Sequence, residues 1–227
     1  MCIICEGKYH GKKEIYCCHC PNLTKIPVIS SLEILNCWGC PNLTEIPVIP
    51  GLKILYCFGC ENLKEIPVIS SLEKLDCHRC TKLTEIPFID GLKELSCWGC
   101  TRLTQIPFID GLEGLDCSHC RNLTEIPDIH GLQTLCCRWC KSLTKIPDIH
   151  SIEYLALAEC PWLEQDDKFK ENLTNLIKIQ KYIKKYHKIK LCKRWVQSDE
   201  FREWYYHPEG PGGIKAVLRL ITKTKNE

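Results

Sequence analysis

Twenty cysteines stand among the 227 residues, and most of them recur as Cys-x-x-Cys. Thiolate sulfurs bind Zn²⁺ tetrahedrally, and Cys37/Cys40 taken with Cys57/Cys60 form a C-x2-C-x16-C-x2-C arrangement of the kind found in structural zinc sites. The same expression arises at every step between adjacent blocks of this chain, so its recurrences share one cause. In a second reading Cys37 is a small apolar core residue, and Cys40 is a weak thiol donor to a neighbouring turn. A third reading makes the pairs disulfides, which a reducing compartment would disfavour. The packing role is the expectation adopted here, with no metal site and no cofactor. Cys2 and Cys5 lie outside the repeating frame and are expected to help cover the first turn.

Other reactive residue types form no constellation. His19, His78, His119, His130 and His150 occupy different frame positions, which argues against a shared metal or catalytic site. No Gly-rich phosphate loop, nucleophile elbow or paired-carboxylate motif occurs, and nothing points to an enzyme. Asn22, Asn42, Asn122 and Asn172 each open an Asn-Leu-Thr sequon, but three of these are one repeat position, and glycosylation is not expected. The chain carries 30 Lys+Arg against 28 Asp+Glu, is 44% apolar and 26% charged, and so has a globular composition rather than that of a disordered chain or a basic nucleic-acid coat. No stretch approaches the ~18 to 20 apolar residues of a membrane span, and the first residues have too short an apolar core for a signal peptide. A cytoplasmic, unsecreted protein is expected.

The element that must position these side chains is a repeat. Residues 11–150 divide into seven blocks of 20 without insertion or deletion, in the frame LxxLxCxxCxxLxxIPxI, and a degenerate eighth begins at Ser151. Each block holds one short alternating segment, such as Ile34-Leu35-Asn36-Cys37-Trp38, with Leu35 and Cys37 facing one way and Ile34, Asn36 and Trp38 the other. Stacked blocks would therefore form a parallel sheet, about 4.8 Å per step. The Ile-Pro of every block favours extended polyproline-II backbone on the return path, and 20 residues leave little room for a helix there. The domain reading is an N-terminal cap segment over 1–10, a solenoid over 11–165 and a basic helical tail over 166–227.

The frame Leu32, Leu35, Cys37, Cys40, Leu43 falls on leucine-rich-repeat consensus positions. With IPxI on the return it resembles the short leucine-rich repeats of bacterial effectors, and the Cys-for-Asn substitution resembles the leucine-rich-repeat proteins of giant DNA viruses of amoebae. That resemblance covers about three quarters of the chain. It implies a right-handed superhelix with a concave parallel sheet and an extended convex side, acting as a binding scaffold without catalysis. The catalytic Cys-x-Asp motif of effector ubiquitin ligases is missing, since Cys192 is followed by Lys193-Arg194.

Information for recognition should lie in the outward strand positions. One column reads Tyr16, Asn36, Tyr56, Asp76, Ser96, Asp116, Cys136 and Ala156; the next reads Cys18, Trp38, Phe58, His78, Trp98, Ser118, Arg138 and Ala158, with Trp139 one residue beyond. These rings could stack to stabilise the sheet, each cross-strand pair contributing about 0.2 to 1 kcal/mol. They are also the residue types of binding hot spots. The expected concave site is Tyr16, Trp38, Tyr56, Phe58, Asp76, His78, Trp98, Asp116, Arg138 and Trp139, and its mix of aromatic and charged groups suits a protein or peptide partner. Residues 1–170 hold 17 basic and 22 acidic side chains, leaving a +7 tail. There Leu173, Leu176, Ile177, Ile183 and Tyr186 recur at helical spacing within 172–196, and Lys181, Lys184, Lys185, Lys188 and Arg194 lie on the polar side. A helical cap is expected; an interaction with nucleic acid or an acidic surface is the alternative function. Ile179-Gln180 matches a calmodulin-binding IQ motif poorly. A second short helix after Ser198, a turn-rich Tyr-His-Pro/Gly-Gly segment and a last helix around Val217 complete the tail; that segment is similar to the C-terminus of the same viral proteins.

Overall fold

The computed structural model describes residues 2–144, 146 and 152–160. The chain divides into two compact units, Met1–Glu171 and Asn172–Glu227. The segments expected as tail helices, and with them Lys181, Lys184, Lys185, Lys188 and Arg194, lie outside the described residues.

The first unit is a parallel β-solenoid. Each turn contributes one three-residue strand: β1 Glu14–Tyr16, β2 Ile34–Asn36, β3 Ile54–Tyr56, β4 Lys74–Asp76, β5 Glu94–Ser96, β6 Gly114–Asp116, β7 Thr134–Cys136 and β8 Tyr154–Ala156. The eight pair in chain order, each residue opposite the one 20 positions on, so the perfect period of the sequence becomes a sheet without register shifts. Pairing continues past the strand ends, since the Cys37 N–H donates to the Tyr56 carbonyl and the Gly39 N–H to that of Phe58, both at 2.8 Å. The return paths contain no helix among the described residues.

The alternation within each strand decides what is inside. In the second turn Leu32, Leu35, Cys37, Cys40, Leu43, Ile46 and Ile49 are all buried, and the next four turns repeat the set. A single turn could not remove this apolar surface from water; neighbours do it for each other. Before the first strand Ile4 enters the core, while Cys2, Ile3, Cys5 and Tyr9 pack against it.

The sulfurs do more than fill space. Cys40 Sγ donates to the Cys17 carbonyl at 3.0 Å, Cys60 to Cys37 at 3.1 Å, Cys80 to Cys57 and Cys100 to Cys77 at 3.2 Å, and the series continues through Cys120, Cys140 and Cys160. Each thiol satisfies a carbonyl of the preceding turn at the point where the chain leaves the strand. No disulfide joins the described cysteines. The Cys80, Cys100, Cys120 and Cys140 thiols alongside, together with burial, hold Cys57, Cys77, Cys97 and Cys117 well above the ordinary thiol range.

The repeated Asn-Leu-Thr also acquires a structural reason. The Asn42 amide donates to the Pro21 carbonyl, as Asn62 of Asn62-Leu63-Lys64 does to Pro41, Leu43 is buried, and the Thr44 and Thr124 hydroxyls donate to the Thr24 and Thr104 carbonyls.

Candidate functional site

Immediately after each strand the chain turns sharply, and the residue at position 39 of the frame takes a left-handed conformation. Gly39, Gly59 and Gly99 do so with φ of 66°, 69° and 73°, but the same turn is made by His19, Arg79, His119, Trp139 and Glu159 with φ between 51° and 62°. A side chain there costs about 1 kcal/mol or more relative to glycine. The turn re-aims position 39 toward the row formed by position 38.

The result is one unbroken line of seven rings: His19, Trp38, Phe58, His78, Trp98, His119 and Trp139, with successive centroids 3.8, 5.2, 4.2, 5.8, 5.3 and 5.6 Å apart. Trp38, Phe58 and His78 lie nearly parallel, and Trp98 meets both of its neighbours edge-on. Trp139, placed by the sequence one residue beyond the column, is brought into line by its positive φ. Of the five histidines, His19, His78 and His119 stand in this row, each separated from the next by at least one other ring. Every one of the seven turns supplies a single ring, from position 38 where 39 is Gly or Arg, and from position 39 where 38 is Cys18, Ser118 or Arg138. That complementarity is a signal present in the sequence.

Most rings are half-buried by their neighbours, and Trp139 is exposed. The Arg79 guanidinium carbon lies 4.7 Å from the Trp98 centroid, giving the row a cationic flank there. Arg138 is exposed and reaches the Tyr154 hydroxyl at 3.5 Å.

Beside the row, the outward face of β4 to β7 holds an open depression of about 440 Å³, lined by Lys74, Asp76, Glu94, Glu113, Asp116 and Thr134 among others. Its floor comes from Gly114. The equivalent strand positions are Glu14, Ile34, Ile54, Lys74, Glu94, Thr134 and Tyr154, so glycine leaves a gap in an otherwise continuous row of side chains. A smaller hollow of about 240 Å³ adjoins it through Asp116 and is walled by Trp98, Ser118, His119, Arg138, Trp139 and Tyr154. Lys74 forms an ion pair with Glu94, which raises the lysine pKa, and Asp76 Oδ1 lies 2.7 Å from His78 Nδ1. Asp116 Oδ1 accepts from the Ser118 N–H at 3.0 Å. The lining thus carries more acid than base.

Of the expected site residues, the structure gathers Asp76, His78, Trp98, Asp116, Arg138 and Trp139 around these two hollows and their ring wall. Trp38 and Phe58 continue the wall, and Tyr56 lies in β3. Tyr16 stands apart at the edge strand, its hydroxyl donating to Glu14 at 3.0 Å. Glu113 and Gly114 were not anticipated as site residues, whereas Glu94 was expected beside the rings.

Two further surfaces emerge only when the turns are stacked. Position 33 of the frame reads Lys13, Glu33, Lys53, Glu73, Lys93, Glu113, an alternation of sign; Glu33 bridges Lys13 at 2.8 Å and Lys53 at 2.9 Å, and these two hydrogen bonds hold its carboxyl at about 2. On the return side Val28, Val48, Val68, Phe88 and Phe108 form an exposed apolar ridge, which ends at Asp128. Compared with known proteins, the chain matches no family model and no curated protein.

Proposed function

We propose that this chain is a non-enzymatic leucine-rich-repeat scaffold that recognises a protein or peptide on the outward, concave face of its sheet. The observation that carries the proposal is the seven-ring row from His19 to Trp139 alongside an acid-lined depression over Gly114. Rings held in line present flat apolar area without further loss of side-chain freedom on binding, which lowers the entropic cost of association. The gap at Gly114, flanked by Glu94, Glu113 and Asp116, has the size and charge to accept a lysine or arginine side chain. A peptide with a basic residue spaced from an apolar or aromatic one fits both features. The acidic lining disfavours a polyanion on this face, so any nucleic-acid interaction belongs to the +7 tail.

The leucine-rich-repeat type rests on the frame residues and on the thiol series, in which Cys40 and its equivalents make the turn-to-turn hydrogen bond from the consensus Asn/Cys position. With the resemblance to giant-virus repeats, this suggests a host protein as partner and the host cytoplasm, where free thiols persist, as the setting.

The test is selection of peptides from a random displayed library on the full chain. Enriched peptides should carry Lys or Arg together with an aromatic or large aliphatic residue. Their affinity should fall at least tenfold for Trp98→Ala and for Asp116→Asn, in variants whose circular dichroism is unchanged. Binders indifferent to both changes would remove the site from this face.

A further inference from the structure

The thiol series has a first member that cannot follow the rule. Cys40 through Cys160 each donate to a carbonyl 23 residues earlier, but Cys20 opens the series and has no such turn before it. The cap segment supplies two more sulfurs instead. Cys2 Sγ lies 3.6 Å from Cys5 Sγ, and Cys5 Sγ lies 3.7 Å from Cys20 Sγ. All three sulfurs are within 4.8 Å of one another, the only such group of metal-binding side chains among the described residues.

We propose that Cys2, Cys5 and Cys20 form a metal site for a soft d¹⁰ cation, Zn²⁺ foremost, which fastens the N-terminal cap onto the first turn. The geometry is the argument. With Zn–S bonds of about 2.3 Å, sulfurs at two corners of a tetrahedron are about 3.8 Å apart, close to both measured separations. A disulfide would need about 2.05 Å, and these sulfurs are well beyond it. The backbone is folded for the purpose: Glu6 N–H donates to the Cys2 carbonyl, Gly7 to Ile4 and Lys8 to Ile3, all at 3.0 Å, and Gly7 turns with φ 70°. This tight loop sets the two thiols of Cys2-Ile3-Ile4-Cys5 on one side, while Ile4 enters the core beneath them. Cys20 is buried and comes from the rigid solenoid, whereas Cys2 and Cys5 are half-buried, so the cation has an approach.

Binding replaces three thiol protons, which leave to solvent, with three metal–sulfur bonds; water completes the fourth position. The second thiol of each later block is differently engaged, donating to a carbonyl of the preceding turn, which separates this site from the C-x2-C-x16-C-x2-C spacing of the blocks. The function is structural: the cation would tie the segment before β1, whose Ile4 already enters the core, to the first turn of the solenoid.

The full chain, purified under reducing conditions and stripped with chelator, is titrated with Co²⁺ and then Zn²⁺. One equivalent of Co²⁺ should produce thiolate charge-transfer and tetrahedral ligand-field bands that one equivalent of Zn²⁺ abolishes. Cys5→Ser and Cys2→Ser, both outside the core interior, should lose those bands, while Cys136→Ser should keep them. Wild type without stoichiometric bands overturns the proposal, as does a Cys2→Ser/Cys5→Ser double variant that binds as wild type does, since the metal would then sit among the repeat cysteines. Circular dichroism of the double variant verifies that the solenoid persists.

Discussion

Replacing Cys100 by alanine tests whether the thiol series is a working hydrogen-bond ladder. The Cys100 sulfur is fully buried and lies 3.2 Å from the Cys77 carbonyl oxygen. Its transfer from water contributes about 0.8 kcal/mol, taking a sulfur as a methylene equivalent. A residual cavity of roughly 20 Å³ adds about 0.5 kcal/mol. The thiol is a weak donor, which sets its bond at the low end, about 0.5 kcal/mol. The Cys77 carbonyl also accepts from the Cys80 N–H at 3.2 Å, so no buried acceptor is orphaned by the change. The expected loss is about 2 kcal/mol. Cys100→Ser should lie between wild type and alanine, because its hydroxyl can still donate to that carbonyl. Urea unfolding followed by circular dichroism measures both, with the slope compared to verify that the transition is unchanged. A serine variant less stable than the alanine variant would refute the ladder, because the slot would then be purely apolar. An alanine cost below about 0.5 kcal/mol would refute the packing argument as well.

Other consequences follow from the same geometry. Native alkylation mapped by mass spectrometry should label the half-buried Cys18 and Cys136 before the interior thiols, whereas Cys57, Cys77, Cys97 and Cys117 should react only on unfolding; prompt labelling of Cys97 would contradict its burial and raised pKa. Glu33 is held at about 2 against an ordinary 4.5, a depressed carboxyl, so its contribution is complete above pH 4.5 and disappears as pH falls toward 2; Glu33→Gln should flatten the acid dependence of the urea midpoint over that window. Gly59→Ala should cost about 1 kcal/mol from its left-handed backbone alone. Gly39→Ala should cost more, because its new Cβ would lie 2.6 Å from His19 Nδ1 and push that ring off Trp38, an added loss that His19→Ala should remove in a double-mutant cycle.

The solenoid was legible because its causes are local and repeated. A 20-residue period with Leu35 and Cys37 on one side of each strand leaves few ways to bury seven apolar residues per turn, and stacking in register is the one that treats all turns alike. The thiol donor at Cys40 was legible for the same reason. What escaped sequence reasoning depends on dihedral angles or on vertical neighbours. Trp139 and His119 read as out of column because side chains were assigned by strict alternation, which fails at the left-handed turn. The Lys13–Glu33–Lys53 bridges and the gap at Gly114 appear only when equivalent positions of successive blocks are set side by side. The convergence of Cys20 with Cys2 and Cys5 depends on the path of the cap, which shares no period with the repeat.

The ring row bears on whether these near-identical blocks merely reflect copying. Copying alone would place each ring at the same frame position. Instead the row is maintained by substitution at two positions with different backbone conformations, so that Ser118 is accompanied by His119 and Arg138 by Trp139. A ring at position 39 carries a left-handed cost of about 1 kcal/mol that glycine would avoid. Two ring contacts at roughly 0.5 to 1.5 kcal/mol each can offset it, so His119 between Trp98 and Trp139 is energetically tolerable and no large gain in stability explains it. Stability alone would be served as well by glycine at 119 and an aromatic residue at 118, the arrangement already used at Trp98-Gly99. The exchange at 118 puts a small buried hydroxyl at the edge of the hollow shared with Asp116 and Arg138, while the wall above it stays unbroken. His119→Gly separates the two accounts: a folding free energy changed by less than about 1 kcal/mol with loss of the selected peptide's binding would mark the row as a recognition surface. Unchanged binding would reduce it to sheet packing.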